Sequence, residues 1–329
     1  MNTAKRLPFP RLLLLLAPII WASSNAVGKL SVDLLTPYQF TFYRWLLATL
    51  ILSLVFKKQI QRDMPLLRAR KWWLLCWGGS AFCLFNILLY TAFAYKAAVV
   101  NVAIVHSLIP MFVLVAGAII YREKLHALQW IGVFVALFGV LWLLSRGQLG
   151  SLLRLTLSTA DWLILISALI YAAYSLVLRN APAVHWASLL WAMCLSALLV
   201  GLPFWLWELV HSGQLLKIAQ PGAAEIGKAL LLISYVAVFV AIVSKVFYME
   251  GVIAIGAARA AMAMNLLPVF NALLGLLLFA DERAMFGSVH IVAISCVVIG
   301  IACSETGAWQ LKKARCWTAS GRPNSSASA

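Results

Sequence analysis

The chain is a succession of long apolar runs separated by short polar stretches. A hydrocarbon core of about 30 Å needs roughly 20 residues of α-helix to cross it. That ruler predicts ten spans. The first five are Leu12–Lys29, Pro37–Phe56, Trp72–Tyr95, Ala97–Tyr121 and Trp130–Leu144. The second five are Asp161–Leu178, Ala187–Trp207, Ala229–Met249, Ile255–Phe279 and Ser288–Cys303. The shortest connections join the third to the fourth and the eighth to the ninth, so each of those pairs is predicted to be antiparallel neighbours.

Composition removes the soluble alternative. Hydrophobic residues make up 64% of the chain and charged ones 11%, too few charges to cover the surface of a globular protein this long. The net charge of +16 would suggest nucleic acid if it formed a face. Instead the basic residues cluster at span ends, as in Lys57, Lys58, Arg62, Arg68, Arg70 and Lys71, and that is an orientation signal. With the N-terminus in the cytoplasm sixteen lysines and arginines fall on the cytoplasmic side and seven on the other, counting Lys29 and Lys96 at helix ends, and Arg146 and Arg154 in the linker pull against the bias. Both termini are therefore expected in the cytoplasm. Lys5, Arg6 and Arg11 before Leu12–Ala17 and Ala22-Ser23-Ser24 resemble a signal peptide, but the apolar run continues to Val27, which favours an uncleaved first helix. The polar, Ser-rich segment from Lys312 to Ala329 is expected to be disordered. The six cysteines form no CxxC pair and read as small packable side chains rather than as a disulfide framework or a metal site.

The halves of the chain resemble each other. A shift of 158 residues places Tyr90 on Tyr248 and Pro110 on Pro268. It also aligns Ser107-Leu108-Ile109-Pro110-Met111-Phe112 with Asn265-Leu266-Leu267-Pro268-Val269-Phe270, and Glu123 with Asp281, without a gap. Five helices is an odd number, so the second copy must be inverted relative to the first. Inverted repeats are the architecture of many secondary transporters, with substrate held near the midplane where the repeats meet. Pro110 and Pro268 each remove a backbone hydrogen bond and are expected to kink their helices at equivalent depths.

Several features together carry a resemblance to a known family. They are Trp21-Ala22-Ser23-Ser24-Asn25 in the first span and Pro37 to Arg44 opening the second. In each half a mid-helix proline is followed thirteen positions later by an acid (Pro110 to Glu123, Pro268 to Asp281), and Gly132 and Gly139 follow the first of these. The sequence resembles EamA-type members of the drug/metabolite transporter superfamily over about residues 12–144 and 161–304. The resemblance implies a ten-helix, inverted-repeat carrier with a central cavity, of a kind that often exports amino acids or related metabolites from bacteria. Asp281-Glu282 stands where the family has Gly-Glu, the glycine spacing of the last span is stretched, and Glu250 is unexpected.

Ionisable groups inside spans are costly and are functional candidates by default. Arg44 lies roughly 10 Å into the second span at 1.5 Å per residue; it is a candidate carboxylate anchor or a structural arginine. His106, one turn before Pro110, is either a packed histidine or a protonation switch. Glu250 is a second candidate for coupling, although with Lys245 and Arg259 it also reads as a local ion-pair group. Asn25 and Asn265 would orient substrate or bond helix to helix. By analogy with the family, Trp21, Tyr90, Tyr174 and Tyr248 lie near the cavity, where stacking on substrate competes with core packing. The family's phosphate-carrying relatives use basic residues in the region of Lys245 and Arg259, which keeps an anionic substrate open.

Gly222-Ala223-Ala224-Glu225-Ile226-Gly227-Lys228 matches part of a nucleotide-binding loop, but Ala229 follows where Ser or Thr must hold Mg²⁺, and no strand precedes it. Asn324-Ser325-Ser326 is a formal glycosylation sequon on an expected cytoplasmic tail. No HExxH or GxSxG motif is present.

The expectation is an all-α integral membrane protein of the bacterial inner membrane, ten transmembrane helices in two inverted five-helix repeats. Residues 1–11 would be cytoplasmic, 12–144 the first repeat, 145–160 a linker, 161–304 the second repeat and 305–329 a cytoplasmic tail. The expected function is secondary transport, most simply export of an amino acid or related amphipathic compound by alternating access. An uptake or exchange carrier, including one for anionic or phosphorylated compounds, is the alternative, and a channel or membrane enzyme a remote one. The expected partners are a small-molecule substrate and membrane lipids, with no cofactor, metal, ATP or nucleic acid.

Overall fold

The computed structural model describes residues 10–122, 125–148, 157–255 and 266–320, and among these all regular structure is helical. In chain order the helices are α1 (Pro10–Ser31), α2 (Pro37–Val55), α3 (Lys57–Ala69), α4 (Lys71–Gly78), α5 (Phe85–Ala94), α6 (Val99–His106), α7 (Ile109–Ile120), α8 (Ala127–Leu144) and α9 (Thr159–Val177). They continue as α10 (Trp186–Ser212), α11 (Ala223–Tyr235), α12 (Ser244–Ile255), α13 (Leu267–Leu278), α14 (Ala280–Met285) and α15 (Ser288–Ser320). A π-helical segment, Gly79–Leu84, joins α4 to α5, and another, Val236–Val243, joins α11 to α12. Eight helical stretches among the described residues are long and apolar enough to cross a membrane, or nine if α2 and α3 count as one bent span. The protein is an all-α, multi-pass membrane protein.

Local chemistry explains the element ends. α2 opens on a capping box, in which the Thr36 hydroxyl accepts from the Gln39 backbone N–H at 3.2 Å and the Gln39 side chain accepts from the Thr36 N–H at 3.1 Å. Pro37 follows at the first helical turn, where its missing N–H costs nothing. Ser158 and Asp161 cap α9 in the same way. The fourth expected span is interrupted at Ser107 and Leu108, and α7 opens at Ile109 with Pro110 as its second residue. α13 likewise begins one residue before Pro268. Glu123, Arg259 and Asn265 lie outside the described residues.

Two sequence stretches expected to be irregular are helical. Lys57–Ala69, read as a loop, forms α3 at 108° to α2, because Ile60 and Leu67 give it one apolar side to bury. α15 runs on to Ser320, well past the expected end of the tenth span, through residues that are mostly good helix formers. Residues 321–329 lie outside the described ones.

The chain divides into two compact units. The larger, Met1–Ile109 with Thr156–Phe286, contains the pairings of α1 with α12 and α13, α2 with α10, α5 with α9, and α6 with α13. Its core includes Trp45, Leu52, Cys83, Cys194, Ala237 and Ala241, so both π-helical segments contribute to one packed cluster.

The smaller unit, Pro110–Leu155 with Gly287–Ala329, is dominated by the pairing of α8 with α15. Glycines let the two backbones approach. A Cβ on Gly139 would lie 2.7 Å from the Cys296 Cβ, and one on Gly300 would lie 2.6 Å from the Gly132 carbonyl oxygen. Close small-residue contacts of this kind hold helices together where lipid removes the hydrophobic incentive. Gly300→Leu is expected to cost about 1–3 kcal/mol by overpacking and to lower the monodisperse fraction on size exclusion. Gly227→Leu, where nothing lies within 4 Å, should leave it unchanged.

Candidate functional site

Arg44 is the best-defined polar group in the larger unit. The capping box sets the start of α2, and Arg44 falls on its second turn with 4% of its surface exposed. Its Nη1 donates to Asn86 Oδ1 at 2.9 Å and to the Tyr90 hydroxyl. Asn86 is itself fixed by donating to the Phe82 carbonyl at 2.7 Å, and Tyr90 packs on Phe40 with ring centroids 4.8 Å apart. The guanidinium lies over the Trp45 ring at 4.5 Å. Its Nε–H has no partner. Among the described residues the ion pairs are both made by Lys29, so Arg44 is buried without a carboxylate. Both of its hydrogen bonds use Nη1, which leaves the Nε edge of the guanidinium for an acceptor.

A second polar group forms where α1 meets α12 and α13. Trp21 and Tyr248 pack with centroids 5.7 Å apart, and the Lys245 ammonium lies 4.7 Å above the Trp21 ring. Asn25 donates to Asn271 Oδ1 at 2.8 Å, and Asn271 donates to the Leu267 carbonyl at 3.0 Å. Ser23 and the Tyr235 hydroxyl share a hydrogen bond of 2.7 Å. Cys194 is buried in the cluster around Trp45.

His106 stands elsewhere in the unit. Its Nε2 lies 2.9 Å from the Ser167 hydroxyl, which in turn donates to the Ile164 carbonyl at 2.7 Å. Phe85 lies beside the imidazole at 5.4 Å and Tyr171 beside Phe85 at 5.1 Å. Tyr174 is a buried core residue against Phe82 and Met193. A chain of rings, from Trp45 through Phe82, Tyr174, Tyr171 and Phe85, thus links the neighbourhood of Arg44 to His106.

Of the sequence candidates, the structure therefore joins Arg44 to Tyr90, Trp21 to Tyr248, and Asn25 to the α13 residue Asn271. Glu250 is half-buried on α12. The sequence reading missed Asn86 and Asn271, both polar groups inside apolar runs and both buried. It also missed Glu282. This carboxylate, 2% exposed, accepts from the Val99 and Val100 backbone N–H groups at 2.7 and 3.2 Å, so it caps α6 across the fold. Lys29 at the end of α1 reaches it at 2.8 Å and Asp281 at 2.7 Å. The hydrogen bond from Lys29 holds the Asp281 carboxyl below the usual carboxylate range. Helices α1, α6 and α14 are thus tied at one point.

Comparison with known proteins places this geometry in context. The model of the EamA-like transporter family matches residues 9–145 and again residues 158–306. An uncharacterized transporter of Bacillus subtilis (strain 168), YyaM, is 22% identical over 247 residues, which cover 74% of this chain and 77% of that protein. A solved crystal structure superposes with a TM-score of 0.58 over 91% of this chain and 98% of the other at 16% identity; the likeness is one of fold.

Proposed function

The chain belongs to the EamA-like transporter family, and from that premise we propose that it is a secondary carrier exporting amino acids or related carboxylate-bearing metabolites by alternating access. It would work in the bacterial inner membrane as ten helices in two inverted repeats, residues 12–144 and 161–304, with both termini cytoplasmic. Three observations support the repeat. The family model matches twice in succession. The π-helical Gly79–Leu84, moved by the 158-residue shift that aligns Pro110 with Pro268, falls inside the π-helical Val236–Val243. Helices also begin immediately before both prolines. π-segments interrupt regular bonding and recur at functional sites, and a matched pair suits two repeats that move against each other.

The observation that carries the substrate reading is Arg44. A charge inside a span costs about 2.5–3.5 kcal/mol on insertion scales. This one is buried, rigidly oriented by Asn86 and Tyr90, and has a free Nε–H instead of a counter-ion. A substrate carboxylate supplies the missing acceptor and charge, with charge-assisted hydrogen bonds. Trp21, Asn25 and Tyr248 then stand where both halves of the sequence contribute helices to the same unit. A metabolite screen on overexpressing cells tests the reading: secretion of, or tolerance to, carboxylate-bearing compounds is expected, and a response confined to neutral compounds would overturn it.

Lys245 favours a second reading. It is a further cation with an aromatic ring beneath it and no carboxylate among the described residues. A substrate carrying two negative charges, such as a phosphorylated metabolite, would use Arg44 and Lys245 together. Direction, whether export, uptake or exchange, then follows the gradients.

His106 is read as a hydrogen-bonded packing residue, since its contacts are Ser167 and Phe85 rather than a charged group. His106→Asn is expected to leave the pH profile of transport in place, while a flattened profile would assign proton coupling to it. Glu250→Gln, on the second candidate, is the matching comparison.

A further inference from the structure

Helix α3 and the groove beside it take no part in the carrier chemistry. α3 leaves α2 at 108°, so it turns away from the direction of the span it follows. It is amphipathic: Ile60 and Leu67 are buried, while Lys57, Lys58, Arg62 and Arg68 are exposed. Arg70 and Lys71 continue the basic run, and Trp72, 73% exposed, stands at the start of the next span, as aromatic residues do at a membrane interface. A helix of this kind suits the plane of the headgroups.

Between α3, α4 and α10 lies a groove of about 350 Å³. Arg68 and Lys71 line one part of it, and Leu75, Leu195 and Leu199 line another. At about 1.5 Å per residue, Leu199 is roughly 20 Å along α10 from Trp186, well into the depth of the acyl chains. Arg68 and Lys71 have no carboxylate partner among the described residues, where both ion pairs belong to Lys29. Asp63, the acid nearest in sequence, is occupied in accepting the His185 backbone N–H at 2.9 Å.

An almost wholly apolar trough along the span, with the exposed cations Arg68 and Lys71 at its rim, is complementary in shape and charge to an anionic amphiphile. We propose that this groove binds an anionic glycerophospholipid, its phosphate held by Arg68 and Lys71 and one acyl chain lying along α4 and α10. The preference for an anionic over a zwitterionic lipid follows from the surroundings. Lys57, Lys58, Arg62 and Arg70 repel the ammonium of a choline headgroup while adding to the attraction for a net negative one. Juxtamembrane basic residues each contribute about 1 kcal/mol toward an anionic surface.

Native mass spectrometry of the full-length protein, released from detergent containing equimolar phosphatidylglycerol and phosphatidylcholine, tests this. The wild-type protein is expected to retain phosphatidylglycerol with a preference of roughly tenfold or more, and Arg68→Gln/Lys71→Gln to lose one bound equivalent. Both side chains are exposed, and size exclusion verifies that the variant is monodisperse. Arg68→Lys/Lys71→Arg should keep the lipid, while Lys57→Gln/Lys58→Gln, which removes the same charge from α3 outside the groove, should weaken the preference for phosphatidylglycerol without losing the bound equivalent. Excess inorganic phosphate should displace none of it. Equal retention of both lipids by the wild type, an equal loss in the two charge-removing variants, or displacement by phosphate would each overturn the proposal.

Discussion

Arg44→Gln is expected to abolish transport of carboxylate-bearing substrates while leaving protein abundance and monodispersity near those of the wild type. The two halves of this expectation have separate causes. Glutamine is polar and can still reach Asn86 or Tyr90, and removing a buried cation that has no counter-ion relieves a desolvation cost rather than creating one. Folding should therefore survive. A hydrogen bond to a charged group contributes about 1.5–3 kcal/mol, which is roughly a ten- to 150-fold change in apparent affinity for each bond lost. The Nε–H, free in this structure, makes the substrate bond the one at risk. Arg44→Lys should recover part of the activity, because it restores the charge but not the planar, two-pronged donor. A Gln variant that misfolds would instead make Arg44 a structural residue.

Glu282→Ala is expected to damage folding rather than transport alone. The change orphans two backbone N–H groups at the start of α6 and removes one of the carboxylates on Lys29. Breaking a buried pair by deleting one partner typically costs 3–5 kcal/mol, on the order of the whole stability of many domains. The readout is a large fall in thermal midpoint and in folded yield. Asp281→Asn removes the other carboxylate on Lys29, but that side chain is 62% exposed, so the expected cost is about 0–1 kcal/mol. The same contrast fixes the sign of the acid response. Lys29 depresses the folded-state Asp281 carboxyl below its ordinary value of about 3.9. Its small contribution is complete above that value and is lost as pH falls below it. A Glu282→Ala protein as stable as the wild type would contradict the capping role.

Most of the spans were legible because a bilayer demands long apolar runs, and length alone marks them. The bend between α2 and α3 was not. Lys57–Ala69 is polar enough to read as a loop, and only burial of Ile60 and Leu67 against the fold makes it a helix. The π-helical segments leave no trace in hydropathy, because they change which backbone groups bond and not which residues are apolar. Arg44 and Asn25 were legible as polar residues at costly depths, and Trp21 and Tyr248 as aromatic residues that the family resemblance sets near a cavity. Their partners Asn86 and Asn271 were legible by the same rule but were passed over. Glu282 was overshadowed by Asp281, which the shift that aligns the prolines pairs with Glu123. The two acids are adjacent in sequence, and only the fold brings one of them to the N-terminus of α6 while leaving the other in water.

Counterflow in proteoliposomes tests the central claim most directly. Vesicles containing the purified protein would be loaded with unlabelled substrate from the metabolite screen and given a trace of labelled substrate outside. An alternating-access carrier that binds through Arg44 predicts saturable uptake that internal substrate accelerates, with transient accumulation of label, all lost in Arg44→Gln. Flux that rises linearly with concentration, is indifferent to internal substrate and persists in Arg44→Gln would contradict it.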